Sequence, residues 1–175
     1  MKYFQIKKAI KEAEKIDCKG YEFNKYSFGE EGTYIPYELI KEVKQGLLKL
    51  YKIFSPDYLV STEPGSHTWG LLLASEVKKP LNIIRTINPK MPTNQAIYKQ
   101  RTGYCVRNLS FQNFKSKDSV LIVEDVIGTG STLELIVDTL TKMNVKVQGV
   151  ITILRKGLDK LDSKYNFPII SLIDK

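Results

Sequence analysis

Residues 120–132 read VLIVEDVIGTGST. Val120, Leu121, Ile122 and Val123 are apolar without alternation, the pattern of a strand buried on both faces, as in a parallel sheet. Two adjacent acids, Glu124 and Asp125, end that run. Gly128, Thr129, Gly130, Ser131 and Thr132 then form a turn with few bulky side chains. Carboxylates are costly in a core unless something pairs with them. A Gly/Thr/Ser turn that opens a helix leaves backbone N–H groups free to hold an anion. The stretch therefore asks for a ligand that offers hydroxyls or a metal to the acids and a phosphate to the turn.

Working outward, Leu133 to Met143 has helical spacing, and 147-VQGVITIL-154 and 168-PIISLI-173 read as strands. Upstream, 57-DYLVST-62 reads as a strand, EPGSH (63–67) as a tight turn, 68-TWGLLLASEV-77 as a helix and 81-LNIIRT-86 as a further strand. Ile6, Ala9, Ile10, Ala13 and Ile16 predict an amphipathic first helix, and Leu39, Ile40, Val43, Leu47, Leu48 and Tyr51 a second. Residues 20–36, with glycines and Pro36 among aromatics, read as irregular or short strand. Residues 87–103 carry Pro89, Pro92 and Gly103 and predict a long loop, and 104–111 a candidate strand. This alternation predicts an α/β fold with a central, mostly parallel sheet flanked by helices. At 175 residues, with no repeat or linker, the chain reads as one domain over 1–175.

The net charge of +8 favours a polyanionic partner, nucleic acid or a phosphorylated small molecule. Cys18 and Cys105 lack CxxC spacing and His67 is the one histidine, which argues against a zinc site or a disulfide framework. No apolar run has membrane-spanning length, and MKYFQIKKAIKEAEKI lacks a signal-peptide core, so a cytoplasmic protein with no membrane partner is expected.

In an open α/β sheet, ligands bind beyond the carboxyl ends of the strands. Three pieces lie at such ends: EPGSH after Thr62, Arg85 with the long loop after Ile84, and the acids with their turn after Val123. The turn is neither GxxxxGK[ST] nor GxGxxG. Its N–H donors and hydroxyls at a helix start suit a phosphate monoester. Glu124 and Asp125 suit the vicinal hydroxyls of a ribose whose 5′-phosphate sits in the turn, or magnesium held through water. From Arg85 to Arg107 the chain has Arg85, Lys90, Lys99, Arg101 and Arg107 and no acid, like a lid for a polyphosphate. A second phosphate group fits near Glu63, Pro64, Gly65 and Ser66, where Gly65 permits close backbone approach. One ligand satisfies all three pieces: a ribose with a 5′-monophosphate and a 1-diphosphate.

Here the chain resembles the type I phosphoribosyltransferases, whose signature joins an apolar run, an acidic pair and a small-residue phosphate loop, as VLIVEDVIGTGST does. The resemblance runs from about Gly20 to the C-terminus. EPGSH sits where the family has its diphosphate loop. IYKQRTGY (97–104) resembles the hood segment of archaeal hypoxanthine enzymes, and KGLDKL with PIISLI resembles the C-terminal part of adenine enzymes. The resemblance implies transfer of a phosphoribosyl group from 5-phosphoribosyl 1-diphosphate (PRPP) to a purine base, giving a nucleoside monophosphate and diphosphate. It implies that Glu124 and Asp125 bind the ribose hydroxyls and that Gly128 to Thr132 hold the 5′-phosphate. Glu63 to Ser66 and Arg85 would bind diphosphate, and Val126 or Ile127 would lie against the base. It further implies magnesium carried in with the substrate, a homodimer, and a small flexible hood over about 20–36 and 86–111.

Two positions depart from the family. Thr86 follows Arg85 where many members have lysine, leaving Lys90, Lys99 or Arg101 as candidates for that cation. Gly128 stands where some oxopurine enzymes carry an Asp. The Glu63–Pro64 bond is a candidate cis peptide. Plainer readings stand beside these: Arg85 in a structural ion pair, Trp69 in the core, His67 at a helix start, Cys18 and Cys105 as inert thiols. Tyr21, Phe23, Tyr26 and Phe28 are packing residues, or one of them covers a purine, and Arg155 and Lys156 face an oxopurine carbonyl or solvent. Two other functions share the pattern, a PRPP-sensing regulator that binds nucleic acid and an orotate phosphoribosyltransferase. The absence of a helix-turn-helix pattern argues against nucleic acid, and the purine-like C-terminus argues against orotate.

Overall fold

A computed structural model of the chain describes residues 2–18, 20–30, 32, 34–87, 96–101, 106–157 and 159–175, and of residues 18, 21, 96, 101, 159 and 160 the backbone alone. Helix α1 (Phe4–Lys11) leads into strand β1 (Glu14–Cys18), which pairs antiparallel with β2 (Tyr21–Lys25). Helix α2 (Tyr37–Tyr51), β3 (Tyr58–Thr62), α3 (Ser66–Val77) and β4 (Leu81–Thr86) follow. Then come β5 (Ala96–Arg101), β6 (Val106–Phe111), β7 (Ser119–Ile127), α4 (Ser131–Lys142), β8 (Lys146–Arg155), α5 (Asp159–Lys164) and β9 (Ile169–Asp174).

The main sheet has the order β5-β6-β4-β3-β7-β8-β9. Strands β4, β3, β7, β8 and β9 are parallel neighbours, and β6 and β5 extend the edge antiparallel. The α/β fold with a mostly parallel central sheet is thus as the sequence predicts. Period-2 alternation along β7 serves two cores. Leu121 and Val123 face a cluster with Val43, Leu47, Trp69 and Leu73 of α2 and α3. Val120 and Ile122 face another with Leu133, Ile136 and Leu140 of α4. Each of the four β7 residues is fully buried, which explains why no polar position interrupts VLIV.

Three expectations need correction. Helix α1 stops at Lys11, and Ile16 lies in β1 opposite Phe23. The cause is a turn: Asp17 Oδ1 accepts from Gly20 N–H at 2.9 Å, and Gly20 takes a left-handed φ of 82°. The expected loop over 87–103 contains strand β5, whose Tyr98 meets Phe111 edge-on at 5.4 Å. Residues 88–95 and 102–105, with Lys90 and Cys105, lie outside the described residues. Strand β7 continues past both acids to Ile127, so Glu124 and Asp125 are inside the strand rather than beyond it.

The connections locate the ligand site. From β3 the chain passes through α3 to β4 on one side, and from β7 through α4 to β8 on the other. The two helices cover opposite faces. Strand order therefore reverses between β3 and β7, and a crevice opens at their carboxyl ends. No helix among the described residues is long and apolar enough to cross a membrane.

Candidate active site

A cleft sits at that switch point. It is lined by Glu63, Pro64, Gly65 and Ser66 after β3, by Glu124, Asp125, Val126 and Ile127 of β7, and by Gly128, Thr129, Gly130, Ser131 and Thr132. Two of the three segments singled out in the sequence thus meet in space, contributing every one of their candidate residues.

The acids are nearly inaccessible, Glu124 at 6% and Asp125 at 8% exposure. Thr62, at the end of the neighbouring strand, donates its hydroxyl to Glu124 Oε1 at 3.0 Å. Asp125 Oδ1 accepts from Val126 N–H at 2.8 Å, and its backbone carbonyl accepts from Thr152 Oγ1 at 3.1 Å. Burial, and then the negative charge of Asp125, push the Glu124 carboxyl up to about 8. Burial likewise raises Asp125, to about 6, against the opposing pull of Val126 N–H and the Arg107 guanidinium. Burial thus disfavours both charges despite these donors, and ligand hydroxyls or a cation would favour them.

Gly65 explains how the second loop meets the acids. A Cβ there would lie 2.1 Å from Asp125 Oδ2 and 2.9 Å from Glu30 N, so only glycine fits. The Glu63–Pro64 peptide is cis. Ser66 Oγ donates to Thr62 O at 2.9 Å and closes the loop onto the strand.

The turn after β7 is built to receive an anion. Gly130, at φ 83°, is the N-cap of α4 and makes no side-chain cap, and Ser131 N–H reaches Thr129 Oγ1 only at 3.5 Å, a long bond that an anion could replace. Thr129 Oγ1 and Ser131 Oγ lie 3.2 Å apart at its mouth. A Cβ on Gly130 would come within 2.6 Å of Leu161, so the turn also packs closely against α5.

Arg85 is not among the residues lining the cleft; its guanidinium pairs with Glu63, whose other oxygen accepts from Thr86 N–H at 3.0 Å. Lys99 is exposed on β5 away from the lining, and Arg101 is described by its backbone alone. Arg107 does line the cleft, half-buried, paired with Glu30 and near Asp125. Tyr26 and Phe23 also line it, and Lys156 Nζ sits 5.0 Å above the Tyr26 ring. Arg155 is instead held by Asp174 at 2.8 Å and Asp162 at 2.7 Å. Trp69 is core, its Nε1 donating to Phe28 O at 2.7 Å, which ties the segment that ends in Gly29 and Glu30 to α3.

Glu30, Thr62 and Gln100 line the cleft without having been expected there from sequence. Gln100 Nε2 donates to Thr132 Oγ1 at 2.6 Å. Thr62 alone had a usable signal, since it ends the strand beside the acids.

A family model described as a phosphoribosyl transferase domain matches residues 38–174. The chain belongs to that family. The match takes in β3 through β9 and so every element around the cleft except β2 and the segment after it. Among similar phosphoribosyltransferases is the hypoxanthine/guanine phosphoribosyltransferase of Aciduliprofundum boonei, 26% identical over 138 residues, 78% of this chain and 74% of that one. The protein of the same name from Methanopyrus kandleri is 26% identical over 157 residues, 89% of this chain and 83% of its own. The adenine phosphoribosyltransferase structure from Thermoanaerobacter pseudethanolicus superposes with a TM-score of 0.76 at 19% identity, covering 97% of this chain and 99% of that chain. That likeness shows the shared fold.

Proposed function

We propose that this phosphoribosyltransferase transfers the phosphoribosyl group of PRPP to a purine base, forming a nucleoside 5′-monophosphate and diphosphate. The observation that carries the reading is the buried Glu124–Asp125 pair beside the uncapped start of α4 at the sheet's switch point. An acid pair whose charges burial disfavours and a turn short of an anion fit the two ends of a ribose 5-phosphate. The purine enzymes among the relatives support the choice of base class.

In this reading Gly128 to Thr132 hold the 5′-phosphate through N–H groups and hydroxyls. Glu124 and Asp125 accept the ribose 2′- and 3′-hydroxyls, which offsets the cost of their burial. As the bond from C1 to the diphosphate oxygen breaks, positive charge grows on the ribose ring, and the two carboxylates stabilise it. Diphosphate leaves beside Glu63 to Ser66, with Arg85 exchanging its Glu63 partner for the leaving group. Val126 or Ile127 lies against the base, with Tyr26 and Lys156 opposite.

Magnesium fits this donor set as a substrate-borne ion. Among the described residues no three His, Cys, Asp or Glu side chains gather, so Glu124 and Asp125 would hold it through water while PRPP oxygens complete the shell. Bound there, it would supply positive charge beside the diphosphate. The chain acts as one domain over 1–175, with residues 20–36 and 86–111 as a hood that excludes water. Glu30, Gln100 and Arg107, all cleft residues, support that assignment. The reading places the enzyme in the cytoplasm as a homodimer, and the exposed Tyr34, Tyr37 and Leu71 are candidates for its interface.

The test is nucleotide formation from PRPP and magnesium with adenine, hypoxanthine, guanine, xanthine or orotate. Turnover with at least one purine and none with orotate is expected. Absence of product with all four purines would overturn the assignment.

A further inference from the structure

Gln100 lies on β5, distant in sequence from the phosphate turn, yet it is 5% exposed and lines the cleft. Its Nε2 donates to Thr132 Oγ1 at 2.6 Å. Its Oε1 is buried and has no partner among the described residues. Thr132 is the second residue of α4 and belongs to the anion-binding turn. A hydroxyl has one hydrogen to donate and two positions to accept. With one acceptor position filled by the Gln100 amide, the Thr132 hydrogen remains available to another acceptor, and Thr132 lines the cleft beside the turn.

We propose that Gln100 is a positioning residue for the 5′-phosphate. By donating to Thr132 Oγ1 it aims the Thr132 hydroxyl hydrogen at the anion, so strand β5 completes the phosphate site. This rests on the phosphoribosyl reading above. The partnerless Oε1 supports it, because a buried carbonyl in a cleft marks a place where a ligand hydroxyl or its hydration water belongs. The neighbouring Lys99 is exposed, so of these two β5 residues it is the neutral amide that reaches this end of the cleft.

The experiment compares wild type with Gln100→Met, Gln100→Glu, Thr132→Val and the Gln100→Met/Thr132→Val double variant. Calorimetry with ribose 5-phosphate and, separately, inorganic diphosphate reads the two ends of the site, and urea midpoints confirm folding. Gln100→Met is expected to weaken ribose 5-phosphate about tenfold. It should raise the KM for PRPP more than it lowers kcat, and leave diphosphate binding within about twofold. Gln100→Glu should weaken ribose 5-phosphate further, since a carboxylate takes the Thr132 hydrogen and adds like charge. In the Thr132→Val background, Gln100→Met should cost nothing more. Normal ribose 5-phosphate binding by Gln100→Met, additive losses in the double variant, or an equal loss for diphosphate would each overturn the proposal. If wild type binds ribose 5-phosphate and only the Gln100 effects fail, this inference alone falls; if wild type binds neither ribose 5-phosphate nor PRPP, the phosphoribosyl reading falls and takes it along.

Discussion

Glu124→Gln should flatten the pH dependence of stability in the ligand-free protein. Burial raises the Glu124 carboxyl from 4.5 to about 8, so the folded protein holds this proton more tightly than the unfolded chain. Its contribution to stability is then full below about 4.5 and is lost as pH rises to about 8. At about 1.36 kcal/mol per pH unit, that interval corresponds to up to roughly 5 kcal/mol. Asp125, raised from 3.8 to about 6, acts in the same direction at lower pH. Glutamine removes the Glu124 charge and keeps an acceptor for the Thr62 hydroxyl 3.0 Å away. Urea unfolding at pH 5, 6, 7 and 8 should therefore show the variant close to wild type at pH 5. The gap should then widen by about 1 kcal/mol per pH unit in favour of the variant. Parallel profiles, or a variant that loses stability faster than wild type, would refute the idea that burial disfavours the Glu124 charge.

Three further outcomes follow from the cleft. Gly65→Ala places a Cβ 2.1 Å from Asp125 Oδ2 without backbone strain; kcat should fall about a hundredfold while circular dichroism stays native, and undiminished turnover would show that Asp125 tolerates displacement. Gly130→Ala forces alanine to φ 83° and against Leu161 at 2.6 Å. The two effects should cost about 2–4 kcal/mol in urea unfolding and weaken ribose 5-phosphate binding, and a loss under about 0.5 kcal/mol would contradict the geometry of the turn. Glu63→Gln frees Arg85 from an exposed ion pair and should tighten inorganic diphosphate by up to about fivefold in calorimetry. Weaker binding would mean that Glu63 positions Arg85 for the ligand rather than holding it away.

The parts of the site that lie on one continuous stretch were legible in the sequence, because their physical demands are local. Glu124 and Asp125 stand out against a fully buried strand, and the glycines after them announce a turn by residue type alone. Gln100, Glu30 and Asn24 carried no such mark. Each is a polar residue in a polar neighbourhood, and each reaches the cleft because a separate strand or turn delivers it there. Periodicity misled at Ile16, whose position satisfies both the helical spacing of α1 and the alternation of β1; the Asp17–Gly20 turn decided between them. It also missed β5, where lysine, glutamine and arginine mask a short ladder whose apolar contacts come from Tyr98.

The edge of the sheet is joined unevenly. Strand β5 pairs with β6 along all six residues, whereas β6 pairs with β4 at Arg85–Ser110 and Thr86–Leu109, with Ile87 N–H donating to Asn108 O at 2.9 Å and Asn82 Nδ2 to Gln112 O at 2.8 Å on either side. The pair is therefore a cassette, hydrogen-bonded more fully within itself than to the body, into which Leu109 and Phe111 still pack beside Val120 and Ile122 of β7. Evolution can rewrite such a cassette, and an engineer can transplant it, with the chemistry of β7 left as it was. In this architecture one cleft is assembled from strands that lie far apart in sequence.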